Sequence, residues 1–113
     1  MCISLSYGGT LQAMHNLADR HRVSVCPDFI GHGVGKSFHA NPLVVPVRNR
    51  NRDKMQVGQT FTIEPIFVDG NPKWNMWRDG WTVVTKDGSW SAQHEHTILI
   101  TENGHEILTE LAA

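Results

Sequence analysis

The chain has 113 residues, enough for one small domain with a single core and too few for two. A hydrophobic share of 40% and a charged share of 19% are those of an ordinary globular protein. With a net charge of −1 and no basic block, nothing electrostatic favours nucleic acid or an anionic membrane, so a small molecule or a peptide is the expected partner.

The opening "MCISLSYGGT" lacks a basic n-region, and serines break its apolar residues, so it reads as neither a signal peptide nor a span. Cys2 and Cys26 are the only cysteines. They are expected to be free thiols in a reducing, intracellular compartment, and the absence of a C-x-x-C pair argues against a zinc knuckle. Thr10 to Arg22, "TLQAMHNLADRHR", predicts a helix capped by Thr10. Its apolar stripe is Leu11, Met14, Leu17 and Ala18, and Arg20 and Arg22 suit its C-terminal end.

"VSV" begins a short extended stretch limited by Pro27, and the glycines and prolines from Gly31 to Pro46 exclude a long helix. "PLVVPV" reads as an edge strand or ordered loop, and "VRNRNRDKM" as a solvated connection. Strands follow: Gln59 to Val68, Trp81 to Thr85, and two more around Asn103-Gly104, a pair suited to a type I′ hairpin turn. One helix followed by antiparallel strands is an α+β arrangement.

The segment "FIGHGVGKSFH" holds two competing signals. Its "GVGKS" resembles the end of a phosphate-binding loop, but the glycine required five positions before Gly35 is Ile30. "FHANP" follows, with Pro42, where such a loop would open a helix. The histidines are the better lead. His32 sits between Gly31 and Gly33, where a positive φ could bring its imidazole close to another group, and His32 and His39 are expected on one bent loop. Glu64 in "TFTIEPIF" and Glu95 in "AQHEHTILI" lie in segments too apolar to hold a charge without a partner, and Pro65 keeps Glu64 extended. A histidine with two such glutamates suggests a divalent ion held by imidazole and oxygen. His94 and His96, at i and i+2, are an equally good chelating pair by spacing, which does not choose between them and Glu95.

"GHGVGKSFHANPLV", "TFTIEPIF" and "WTVVTKDGSWSAQHEHTILIT" together resemble, in order and spacing, the C-terminal half of type I methionine aminopeptidases of the organellar type. The resemblance runs from about Leu11 to Leu108. It implies the C-terminal half of a pita-bread fold, with residues 1–9 a divergent segment and 10–113 a partial peptidase domain. It implies removal of N-terminal methionine from nascent proteins, in the cytoplasm, a plastid or a mitochondrion. Prolidase and aminopeptidase P share the fold, and an X-Pro activity and a non-catalytic remnant are the alternatives.

Residue by residue, the resemblance makes His32, Glu64 and Glu95 metal ligands, with Glu64 also a proton shuttle and Glu95 bridging two ions. His39 would be a catalytic, substrate-binding histidine, and Phe38 and Trp81 would line the methionine pocket. His94 and His96 would be structural. The implied cofactors are two divalent ions per complete site, Co, Mn, Fe or Zn, with one or none in this chain. Two further ligands in the family are aspartates, whose settings neither Asp19 nor Asp28 matches, so impaired activity is expected. The implied partner is a peptide N-terminus, with self-association through an apolar face as a further expectation.

Overall fold

The structure is a computed structural model that describes residues 6–48 and 50–112; Cys2 lies outside them. The chain opens with helix α1, Tyr7–His21. Ten strands follow: β1 (Ser24–Val25), β2 (Gly31–Gly33), β3 (Ala40–Val44), β4 (Thr60–Ile63), β5 (Ile66–Val68), β6 (Trp74–Met76), β7 (Val83–Thr85), β8 (Ser91–Gln93), β9 (His96–Thr101) and β10 (Gly104–Ile107). All named pairings are antiparallel, in a five-stranded sheet β10-β9-β4-β2-β3, a three-stranded sheet β1-β5-β8 and the hairpin β6-β7.

The helix starts three residues before the sequence suggests. Ser6, not Thr10, is its cap: the Ser6 backbone is extended and its hydroxyl oxygen accepts the Gly9 N–H at 3.2 Å. Two glycines in the first turn hide this start, because glycine disfavours helix. Gly8 is there for a spatial reason, since a Cβ would overlap the Asn51 carbonyl oxygen. The helix ends at Arg22 in the left-handed conformation, φ 56° and ψ 37°, with the Val23 N–H returning to the Ala18 carbonyl.

Starting earlier brings Tyr7 onto the apolar stripe, four residues before Leu11. Tyr7, Leu11 and Ala18 are buried and Met14 packs on the core, whereas Leu17 is 41% exposed and falls off the stripe. Tyr7 meets Phe61 edge to face, ring centroids 5.2 Å apart, and Val44, Ile98 and Ile100 complete the core between α1 and the five-stranded sheet. The Tyr7 hydroxyl donates to Gln59 Oε1 at 2.8 Å, and burial, aided by the Asp53 carboxylate, pushes this phenol up to about 12.

"PLVVPV" supplies the edge strand β3, as the prolines require. The segment from Gln59 to Val68 is not one strand. It breaks at Glu64-Pro65, so that β4 belongs to the five-stranded sheet and β5 to the three-stranded one. The β9–β10 turn is also not centred on Asn103-Gly104. Thr101 pairs with Gly104, leaving Glu102 and Asn103 as the loop, and Arg22 is the only described non-glycine with positive φ. A type I′ turn needs positive φ at both central residues, so this hairpin is of another type.

Candidate metal centre

His32 lies on strand β2, not on the bent loop, and is 8% exposed. Its flanking glycines answer to crowding. Neither is among the positive-φ residues. A Cβ on Gly31 would overlap the Thr62 carbonyl oxygen, and one on Gly33 would overlap the Asn41 carbonyl, 2.6 Å from its carbon. The β2–β3 register explains the second case. His32 pairs with Leu43 but Gly33 with Ala40, so Asn41 and Pro42 bulge out of the ladder and press the Asn41 carbonyl onto Gly33. "GVGKS" continues from this strand as bends, with no helix to receive a phosphate.

The glutamates are placed by a break in pairing. Ile63 pairs with His96 and Ile66 with Gln93, so the same register runs across the gap between the two sheets. Glu64 therefore stands opposite Glu95 where the ladder lapses. Facing carboxylates repel, and a cation between them removes that cost. One donor atom from each of His32, Glu64 and Glu95 lies within 4.8 Å of the other two.

Hydrogen bonds around His32 set its chemistry. Its Nδ1 lies 3.0 Å from the Gly33 carbonyl, which can only accept, so Nδ1 carries a proton and, in the neutral ring, Nε2 has the lone pair. That lone pair points to Glu64 Oε1 at 3.4 Å. Two acceptors at this distance call for a proton or a metal ion between them, and the orientation of Nδ1 by a backbone carbonyl is the usual support of a metal-binding imidazole. On these grounds His32, Glu64 and Glu95 fit a divalent ion.

Thr62 is a site residue that sequence reasoning missed. Buried at 3% exposure, its Oγ1 accepts the His32 N–H at 3.0 Å and donates to Glu64 Oε1 at 2.9 Å. The available signal was its i−2 relation to Glu64, which puts both on one strand face. Thr62→Val keeps the shape but leaves the His32 N–H unpaired. It is expected to weaken divalent-ion affinity about 10–100-fold, and to cost about 1–3 kcal/mol of stability, measured by calorimetric titration and urea unfolding.

His39 is exposed in the loop before β3, its ring edge-on to His32 with centroids 4.4 Å apart. Phe38 packs against His39 at 4.5 Å and is 72% exposed. Trp81 is 86% exposed at the turn of the β6–β7 hairpin and belongs to no ring contact among the described residues. Its N–H donates to Asp79 Oδ1 at 2.9 Å. The Thr82 hydroxyl, then the Trp81 and Thr82 N–H groups, hold the Asp79 carboxyl below the usual carboxylate range. Neither aromatic is a core residue.

The other acids named in the sequence are engaged elsewhere. Asp19 pairs with Arg48 at 2.5 Å, and Asp28 Oδ2 accepts the Trp74 indole N–H at 2.8 Å. Cys26 is a buried free thiol. No described helix is long and apolar enough to cross a membrane.

A glycine-flanked histidine and two facing glutamates on an antiparallel scaffold form a candidate metal-ligand group, and residues 5–102 match metallopeptidase family M24. The chain belongs to that family. It is 54% identical over 99 residues to methionine aminopeptidase 1D, chloroplastic/mitochondrial, of Arabidopsis thaliana, covering 88% of this chain but 28% of that protein. The crystal structure of methionine aminopeptidase from Thermotoga maritima superimposes with a TM-score of 0.91 at 36% identity, over 98% of this chain and 45% of that one. The fold is thus the α+β arrangement of part of a pita-bread fold. Prolidase from Pyrococcus furiosus, at 20% identity and a TM-score of 0.67, shares the fold alone. The chain spans under a third of the length of the Arabidopsis relative and under half of the Thermotoga structure.

Proposed function

We propose that this chain carries the His/Glu/Glu portion of a methionine aminopeptidase centre, acting on the N-terminal residue of peptides. The observation that supports it best is Glu64 opposite Glu95 in register, with His32 Nε2 turned toward Glu64. His32 Nε2 and the carboxylates of Glu64 and Glu95 would hold a divalent ion, which supplies Lewis-acid polarisation of the scissile carbonyl and a more acidic water.

The remaining steps belong to protein groups. Glu64 Oε1 is held by the Thr62 hydroxyl, so Oε2 is the oxygen that takes the proton from the attacking water. It then passes that proton to the departing amide nitrogen as the C–N bond breaks. His39, exposed beside His32, donates a hydrogen bond to the carbonyl oxygen as negative charge develops on it. Phe38 offers a flat apolar face beside His39 for a thioether side chain. Trp81, exposed at the β6–β7 turn, is the second aromatic proposed for that pocket. Asp19 and Asp28 are committed to Arg48 and Trp74, so among the described residues three donors meet at this cluster, and the turnover of the chain by itself is impaired. The similarity to the Arabidopsis protein favours an organellar setting for this activity.

The test is Co(II) titration of the full chain, followed by its visible spectrum, with hydrolysis of Met-Ala-Ser measured in the same samples. One equivalent at this site, lost in Glu64→Gln and His32→Ala and unchanged within about threefold in His39→Ala, is expected, with turnover near the blank. Absence of that equivalent would overturn the metal-centre reading, and robust turnover would overturn the impaired one.

A further inference from the structure

We propose that His94 and His96 form a second metal site, separate from the His32 cluster, that takes one borderline transition ion of the Zn(II), Ni(II) or Cu(II) kind. Their Nε2 atoms face one another 3.1 Å apart, with rings nearly perpendicular at 78°. Two imidazole nitrogens each about 2.0–2.1 Å from one ion, at angles of about 90–110°, stand about 2.9–3.4 Å apart. The observed separation lies within that range, so the two nitrogens need only rotate their lone pairs toward a shared ion rather than approach one another.

His96 is held for this purpose from behind. Its Nδ1 lies 2.9 Å from Thr109 Oγ1, and that oxygen already accepts the Thr97 N–H at 3.1 Å. The position of Thr109 is itself fixed, because the Leu108 N–H donates to the Thr97 carbonyl at 2.9 Å, extending the β9–β10 ladder. In the tautomer that gives Nδ1–H to Thr109, His96 Nε2 keeps its lone pair for an ion shared with His94. His94 is exposed and His96 half-buried, so water can fill the remaining coordination positions. Paired imidazoles without a carboxylate select a borderline ion over a hard one.

The site is distinct from the first by geometry. Glu95 lies between the two histidines, and its carboxylate joins His32 and Glu64. Adjacent residues of an extended chain point to opposite faces, so the two sites lie back to back across one short segment. The inference uses none of the residues of the proposed catalytic centre and stands or falls without it.

The alternative for the pair is an imidazole–imidazole hydrogen bond only. Zn(II) and Ni(II) titrations of the full chain distinguish the two, using wild type, His94→Phe, His96→Gln and Glu64→Gln. Two equivalents are expected in wild type. His94→Phe and His96→Gln should each weaken one of them at least about tenfold, while Glu64→Gln loses the other. Cu(II) bound to the Glu64→Gln variant should show electron-spin coupling to two nitrogens. Unchanged stoichiometry and affinity in both histidine variants, or no nitrogen-pair coupling in Cu(II)-loaded Glu64→Gln, would overturn the proposal. His94 is exposed, so His94→Phe is expected to fold; should His96→Gln not fold, His94→Phe and the Cu(II) spectrum decide.

Discussion

Glu95→Gln is expected to raise the thermal midpoint of the metal-free chain and to abolish the part of the further rise that a divalent ion at the His32 cluster produces in the wild type. In the register set by Ile63–His96 and Ile66–Gln93, Glu95 faces Glu64 across a ladder that has lapsed. Like charges directly opposite on paired strands cost up to about 1 kcal/mol, and a neutral amide removes that repulsion. For a chain of this length the gain corresponds to about 2–4 °C. The same change removes a donor from a three-donor cluster. At 100 times its Kd, an ion that binds only the folded wild type stabilises it by about 2.7 kcal/mol, or about 10 °C. Scanning calorimetry with and without Co(II), in the presence of Glu95→Gln and wild type in parallel, reads both effects. A midpoint lowered by Glu95→Gln without metal would mean that the carboxylate has a stabilising protein partner.

Gly33→Ala is expected to be the most damaging single-methyl change in the chain. The new Cβ would meet backbone, the Asn41 carbonyl, 2.6 Å from its carbon and 3.1 Å from the Ala40 oxygen. Backbone cannot rotate away as a flexible side chain can. The β3 bulge or the β2 strand must shift, at a cost of about 3 kcal/mol, the upper end of overpacking penalties. Because the Gly33 carbonyl also holds His32 Nδ1, the shift disturbs the metal-binding tautomer. Urea unfolding should show the loss of stability, and Co(II) titration of the folded fraction should show weaker binding. By contrast, Gly35→Ala, where a Cβ meets nothing within 4 Å, should be nearly neutral in both measurements. Equal effects at the two glycines would refute the close-approach explanation.

The comparison of Gly33 with Gly35 shows where sequence reading stops. Both belong to "GHGVG", and local chemistry marks them as a glycine-rich stretch without telling a crowded glycine from an open one. The difference comes from Asn41 and Pro42, brought onto Gly33 by a register shift in a strand seven residues later. The helix start is similar. Gly8 and Gly9 argue against helix by propensity, and only the approach of Asn51 and the capping of Ser6 show why α1 begins at Tyr7. Thr62 was unremarkable in sequence because a buried threonine in an apolar strand is common. Its role follows from two hydrogen bonds, one of them to a residue thirty positions away.

By itself the sequence determined the residue chemistry: a histidine among glycines, two glutamates in apolar strands, and three segments whose order and spacing point to the methionine aminopeptidase resemblance. It also determined the α+β class, because apolar periodicity is local. What spacing alone left open, and only the resemblance chose, was whether Glu95 or the His94–His96 pair joins His32 and Glu64. Strand alternation fixes that the two choices lie on opposite faces, but not which face meets which neighbour. The tertiary structure decided this through the β4–β9 register, which sets Glu64 opposite Glu95 and turns the two histidines toward each other. Register is set by backbone hydrogen bonds and core packing between distant segments, so no short stretch of sequence contains it.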